Sequence, residues 1–167
     1  MIVAVGIFAV VIIISVGAML AISRAQLKVS NIQIIQDNLR FSLELMTKEM
    51  RTGISFLPSG GAPPAYDAVE FTHNRPGGGT ETLSYCFLSG AIIRHVGNAN
   101  QCADQGTAVT DPSLMVDQLT FYVIGQVSGA DDGQPRVTIS IRAHSADARL
   151  AASYTIQTTV TPRTRDF

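Results

Sequence analysis

Residues 1–52 read MIVAVGIFAVVIIISVGAMLAISRAQLKVSNIQIIQDNLRFSLELMTKEMRT, and the way this stretch folds decides the rest of the chain. Residues 1–23 carry no charged side chain. As a helix rising about 1.5 Å per residue they extend roughly 34 Å, against a hydrocarbon core of about 30 Å, so the run is long enough to cross a bilayer. The apolar pattern then continues past Arg24. Ile32, Ile35, Leu39, Leu43, Met46 and Met50 follow in steps of three and four, which draws one stripe on a helix. Gln33, Gln36, Asp37, Arg40, Glu44, Thr47 and Lys48 make the polar face. Glu44 and Lys48 stand four apart in the favoured order, Arg51 suits the negative end of the helix dipole, and Gly53 with Pro58 beyond it supplies a stop. The pattern predicts one helix from about Ile2 to Thr52, membrane-spanning over 1–23 and amphipathic over 24–52.

Beyond the helix the period changes. LPSGGAPPAY at 57–66 holds three prolines and two adjacent glycines, so 53–66 reads as a Pro/Gly-rich loop. From there to 167 the apolar residues alternate. Val69, Phe71 and His73 make one strand, and Leu83, Tyr85 and Phe87 a second, separated by an RPGGG turn. Ser89-Gly90 turns the chain into Ala91–Val96 as a hairpin. Residues 97–113 are polar and irregular, Leu119–Val127 is another strand, and GADDGQP at 129–135 is a turn. Val137, Ile139, Ile141 and Ala143 alternate with polar residues, as do Tyr154, Ile156, Thr158 and Val160. An α+β fold follows: one antiparallel sheet of five or six strands needs a face covered, and the amphipathic half of the helix offers the cover.

Of 167 residues about a hundred lie beyond the helix, enough for one small domain. Twelve Lys and Arg against thirteen Asp and Glu leave a net charge of −1, which gives no basic field to gather phosphates, so nucleic acid is not expected as a partner. Two cysteines, Cys86 and Cys102, fit a disulfide in an oxidising compartment, the alternative being two unpaired thiols. The first cations, Arg24 and Lys28, follow the span and by the positive-inside rule would hold the domain in the cytoplasm. The cysteines argue for the other side. A basic leader upstream of Met1 reconciles the two.

No catalytic constellation stands out, and neither an enzyme nor a cofactor is expected. His73, His95 and His144 are far apart, no Ser sits in a nucleophile elbow, and Gly77-Gly78-Gly79 lacks the Lys of a phosphate loop. Asp131 and Asp132 before Gly133 offer oxygens to Ca²⁺, but two carboxylates fall short of the roughly 6–8 oxygens it takes, and Asp-Gly is also turn chemistry.

VAVGIFAVVIIISVGAML running without a break into QDNLRFSLELMTKEMRTG, then an antiparallel sheet ending in TTVTPR, resembles the type IV pilin-like proteins. Within them the chain is most similar to minor pilins and minor pseudopilins of the PilW and PulJ (GspJ-like) kind. Their hallmark is a basic leader ending in Gly, then Phe-Thr-Leu, an aliphatic residue and Glu before the apolar run. Met1 stands where the residue after that Glu would be. The cleavage site, the N-methylated first residue and the registering Glu therefore map onto no residue here.

The resemblance implies a substrate of prepilin peptidase held in the bacterial inner membrane with its domain on the extracytoplasmic side. An inner-membrane assembly platform would then draw it from the lipid bilayer into a type IV pilus or type II secretion pseudopilus, among other pilin or pseudopilin subunits. Gly6, Ala9, Gly17 and Ala18 offer small surfaces for helix packing there, and small residues are also ordinary membrane-helix composition. The competing reading is a single-span membrane protein whose outer domain binds a ligand.

Overall fold

The computed structural model describes residues 2–75, 77–125, 134–147 and 153–163. One helix, α1, runs unbroken over Ile2–Met50, followed by eight strands among the described residues. These are β1 (Gly53–Ser59), β2 (Ala68–Asn74), β3 (Thr80–Leu88), β4 (Ala91–Val96), β5 (Thr107–Ala108), β6 (Leu114–Ile124), β7 (Arg136–Ser145) and β8 (Ser153–Val160). A short helix, α2, covers Cys102–Gln105. The layout is α+β and consistent with the pilin fold.

Every residue from Ile2 to Ser30 is exposed, and burial begins near Asn31. Ile and Val crowd the first half and are weak helix formers in water. In hydrocarbon a helix is the form in which one segment satisfies its own backbone. Ser15 fits that setting, since its hydroxyl donates to the Val11 carbonyl at 2.7 Å. In the second half Ile35, Leu39, Leu43, Met46 and Met50 are buried, with Ser42 beside them. Ile32 is only half-buried, at the end of the helix where the domain begins.

The strands form two antiparallel sheets rather than the single sheet expected, in the orders β1-β2-β3-β4-β5 and β6-β7-β8. Alternation along a strand says which face is buried but not which strand pairs with which. The sheets are tied together by the bridge Tyr66–Phe121 and by Val116 N donating to Gly90 O at 2.8 Å. One core takes side chains from both sheets and from α1. In it Phe56, Phe71 and Tyr85 stack in series, with centroids 5.3 and 6.3 Å apart.

Four local expectations change. The segment 53–66, read as a loop, opens with β1, whose Pro58 is tolerated because β1 is an edge strand. Gly53 starts β1 instead of closing the helix in the left-handed region. What keeps it small is space, since a Cβ there would lie 2.6 Å from Phe71 Cδ2. The next strand begins at Leu114, ahead of the Leu119 expected. Within 97–113 lie α2 and β5. The β3–β4 turn is a two-residue hairpin, with positive φ at both Ser89 and Gly90.

Candidate functional site

The feature most open to function is α1 itself, bare over its first half and built into the domain over its second. The uncharged run ends at Ser23, and an 18-residue window of α1 is apolar enough to cross a membrane with none of it buried in the domain. That exposure separates it from the core helix of a soluble protein, which is covered by its own fold. A Cβ added at Gly6 or Gly17 would meet nothing within 4 Å, and Ala9 and Ala18 are exposed, so the domain makes no use of these four positions.

Three sets of polar contacts fasten the second half. Next to the exposed half, Asn31 Nδ2 donates to Ser145 Oγ at 3.2 Å. At the far end, Thr52 Oγ1 and His73 Nδ1 share a hydrogen bond of 2.9 Å, and Arg163 N donates to Arg51 O at 2.9 Å.

Between these ends lies the strongest fastening, which the sequence reading passed over. The Glu49 carboxylate accepts from the Tyr85 hydroxyl at 2.5 Å, from Arg94 Nε at 3.1 Å and from Arg94 Nη2 at 2.8 Å. Burial first, then the hydrogen bond to Glu49, pushes the Tyr85 phenol well above its ordinary value. The Glu49 hydrogen bond raises the Arg94 guanidinium too, against the opposing effect of burial. Both donors keep their protons, so the cluster works as a clamp between α1 and the five-stranded sheet. Glu44 and Lys48, expected to pair, make no ion pair among the described residues.

A groove of about 600 Å³ opens between α1 and the β4–β5 edge, with Phe41 and Leu45 on one wall and Val96, Ala108 and Val109 on the other. A second hollow, of about 560 Å³, lies where Lys48 of α1 and Arg51 just beyond it meet Arg163.

On the outer face of the five-stranded sheet, Cys86 in β3 and Cys102 at the start of α2 form a disulfide. With Ala68 and Ile93 they make a small second core beneath the 97–106 segment. Glu70 Oε2 accepts from Ala99 N at 2.9 Å and holds the same segment down. The histidines are kept apart: His73 bonds Thr52, His144 pairs with Asp117 at 2.8 Å, and His95 is buried in β4. His95 Nε2 and Ser84 Oγ, on residues paired across β3 and β4, are buried without a hydrogen-bond partner. Among the described residues no group of three or more His, Cys, Asp or Glu is placed to hold a metal. Asp131 and Asp132 lie outside the described residues.

Comparison of the chain with family models, with curated proteins and with solved structures gives no match. The architecture is nonetheless pilin-like in shape: a long apolar N-terminal helix on an antiparallel β domain, consistent with a single-pass membrane anchor.

Proposed function

We propose that the chain is a minor pilin or pseudopilin, a structural filament subunit that waits in the bacterial inner membrane by its N-terminal helix and is assembled from there. The observation that carries this reading is the division of one 49-residue helix. Its first 29 residues, Ile2 to Ser30, are all exposed, while its last turns feed the core shared with both sheets. An anchor that served only to tether would have no reason to continue as the core, and a flexible linker would do. A rigid continuous helix keeps the domain at a fixed height and angle to its neighbours, which a filament requires. The partners are other pilin or pseudopilin subunits, prepilin peptidase acting on the precursor, the assembly platform and lipid; no direct nucleic-acid contact and no catalysis are included. The disulfide suits a domain on the extracytoplasmic side.

The test is to shear surface filaments from cells carrying an epitope-tagged chain and analyse them by mass spectrometry and immunogold labelling, beside a deletion strain. The chain should be a substoichiometric filament component, and its loss should impair piliation or secretion. A chain absent from filaments, with assembly intact in the deletion strain, refutes the reading. The groove beside Phe41 keeps one other reading in view, an anchored ligand-binding domain. A ligand-dependent rise in melting temperature with no filament defect would favour it.

A further inference from the structure

The five-stranded sheet ends at β5, whose open edge lies along the groove beside α1. Val109 N donates to Ile92 O at 2.8 Å, and in the same antiparallel register Ala108 stands opposite Ile93 and Thr107 opposite Arg94. Alternation along that ladder turns the N–H and C=O of Thr107 and Val109 toward β4 and those of Ala108 away from it. Ala108 is exposed, and its main-chain groups find no partner on that outer side among the described residues. The edge segment 106–110 reads GTAVT, without the charge or proline that commonly blunts a free edge.

The groove along this edge is apolar and uncharged. Phe41 is 63% exposed and Val96 52%, with Leu45 and Val109 in the same lining. Phe41 stands roughly 27 Å beyond Ser23 along the helix, out of reach of lipid around the uncharged run, so its exposure has a cost that cover would remove. The one guanidinium in the lining, Arg94, is held by Glu49, and no carboxylate or lysine joins it. A complementary occupant is therefore uncharged where it lies in the groove. Strands sit about 4.8 Å apart and layers about 10 Å apart, with a rise of about 3.4 Å, so an extended residue takes roughly 160 Å³ and the groove of about 600 Å³ holds about four.

We propose that the groove takes an extended peptide segment of a partner protein, which adds a strand to the outer edge of β5. Its backbone pairs with the N–H and C=O of Ala108, and its alternate side chains, apolar and uncharged, cover Phe41 and Val96. A helix does not serve here, because its own backbone is already bonded and leaves the edge unpaired. The proposal goes beyond the filament reading and does not need it, since a filament subunit and a free anchored chain present the same edge.

The probe is the peptide acetyl-Thr-Val-Thr-Val-Thr-amide, added to the full-length chain in lipid nanodiscs and followed by hydrogen exchange. With the peptide at twice its dissociation constant, exchange over 106–110 should slow about threefold, while the opposite edge strand at 53–59 keeps its rate. The same peptide N-methylated at its central Thr loses a ladder donor and should bind about tenfold more weakly. Phe41→Asp should weaken binding about tenfold with the melting temperature in place, because Phe41 is exposed in the free chain. No slowing at millimolar peptide overturns the proposal, and so does equal binding of the N-methylated peptide, which would mean apolar contact without an added strand. Binding indifferent to Phe41→Asp does the same. Slowing over 106–110 that grows with chain concentration in the absence of peptide gives the edge to a second copy and likewise overturns it. The deletion-strain filament assay bears on none of these outcomes, so either reading can fail alone.

Discussion

Glu49→Ala is the sharpest probe of how the helix is fixed to its domain. The substitution removes a carboxylate whose side chain is 13% exposed, and it strands two donors. The Tyr85 hydroxyl belongs to a fully buried residue and would lose its acceptor, at about 1–3 kcal/mol. Arg94 is 29% exposed, so water takes over part of its hydrogen bonding and its loss is about 1 kcal/mol. The sum is about 3 kcal/mol, or a fall in melting temperature of about 6–12 °C for a chain of this size. Tyrosine fluorescence of the full chain in detergent reports the unfolding, since there are four Tyr and no Trp. Adding Tyr85→Phe to Glu49→Ala should recover about 1 kcal/mol, because the stranded hydroxyl goes with it. A loss below about 0.5 kcal/mol for Glu49→Ala, or no recovery in the double variant, would show that the clamp does not hold helix to sheet.

The same cluster sets an alkaline limit. Tyr85 keeps its proton in the folded chain beyond the pH near 10.0 at which the unfolded chain releases it, so its contribution is complete below that pH and declines above it, by about 1.4 kcal/mol per pH unit. Tyr85→Phe should flatten the stability profile above pH 10, and parallel profiles for the two proteins would contradict the assignment. Replacing both Cys86 and Cys102 by Ala opens a loop with a sequence separation of 16, for about 3 kcal/mol on the chain-entropy estimate. Hydrogen exchange should then quicken over 97–106 before it does over 35–50, and uniform quickening would count against a local pin. Gly53→Ala places a Cβ 2.6 Å from Phe71 Cδ2 and should cost about 1–3 kcal/mol in denaturant titration; an unchanged midpoint would mean that the Phe56–Phe71 stack yields freely.

The helix was legible because its two halves carry strong and different periodic signals. Ile35, Leu39, Leu43, Met46 and Met50 repeat at helical spacing and end up buried. Glu49 was missed for a physical reason: it is charged, and charge on a helix is normally read as the solvated face. Its position three residues after Met46 and next to Met50 placed it at the margin of the apolar stripe, which was the available signal. Ser42 sits at the same margin seven residues earlier and is also buried, its hydroxyl returning to Asn38 O at 3.0 Å. β1 was hidden by Pro58, whose missing N–H excludes it from a central strand but not from an edge. The split into two sheets was not legible because the joins, Tyr66 to Phe121 and Gly90 to Val116, are backbone hydrogen bonds indifferent to side-chain type.

The exposed and the buried halves of α1 belong to one continuous helix, and its sequence keeps them in one line. From Ala18 to Thr52 there is no Gly or Pro, the residues at which helices most readily kink, and α1 passes from bare to buried without interruption. A rotation or rise of the membrane half therefore reaches the domain directly instead of being absorbed at a hinge. The polar fastenings reinforce this, since the Glu49 clamp and the Arg51–Arg163 contact lie toward the end of the helix farthest from its exposed apolar half, with Asn31–Ser145 at the near end. Held at both ends and packed along the stripe between them, the domain has to follow the helix as one body. Whatever seats the exposed face of the helix, in lipid or against a neighbour, thereby also sets the direction in which the sheets face.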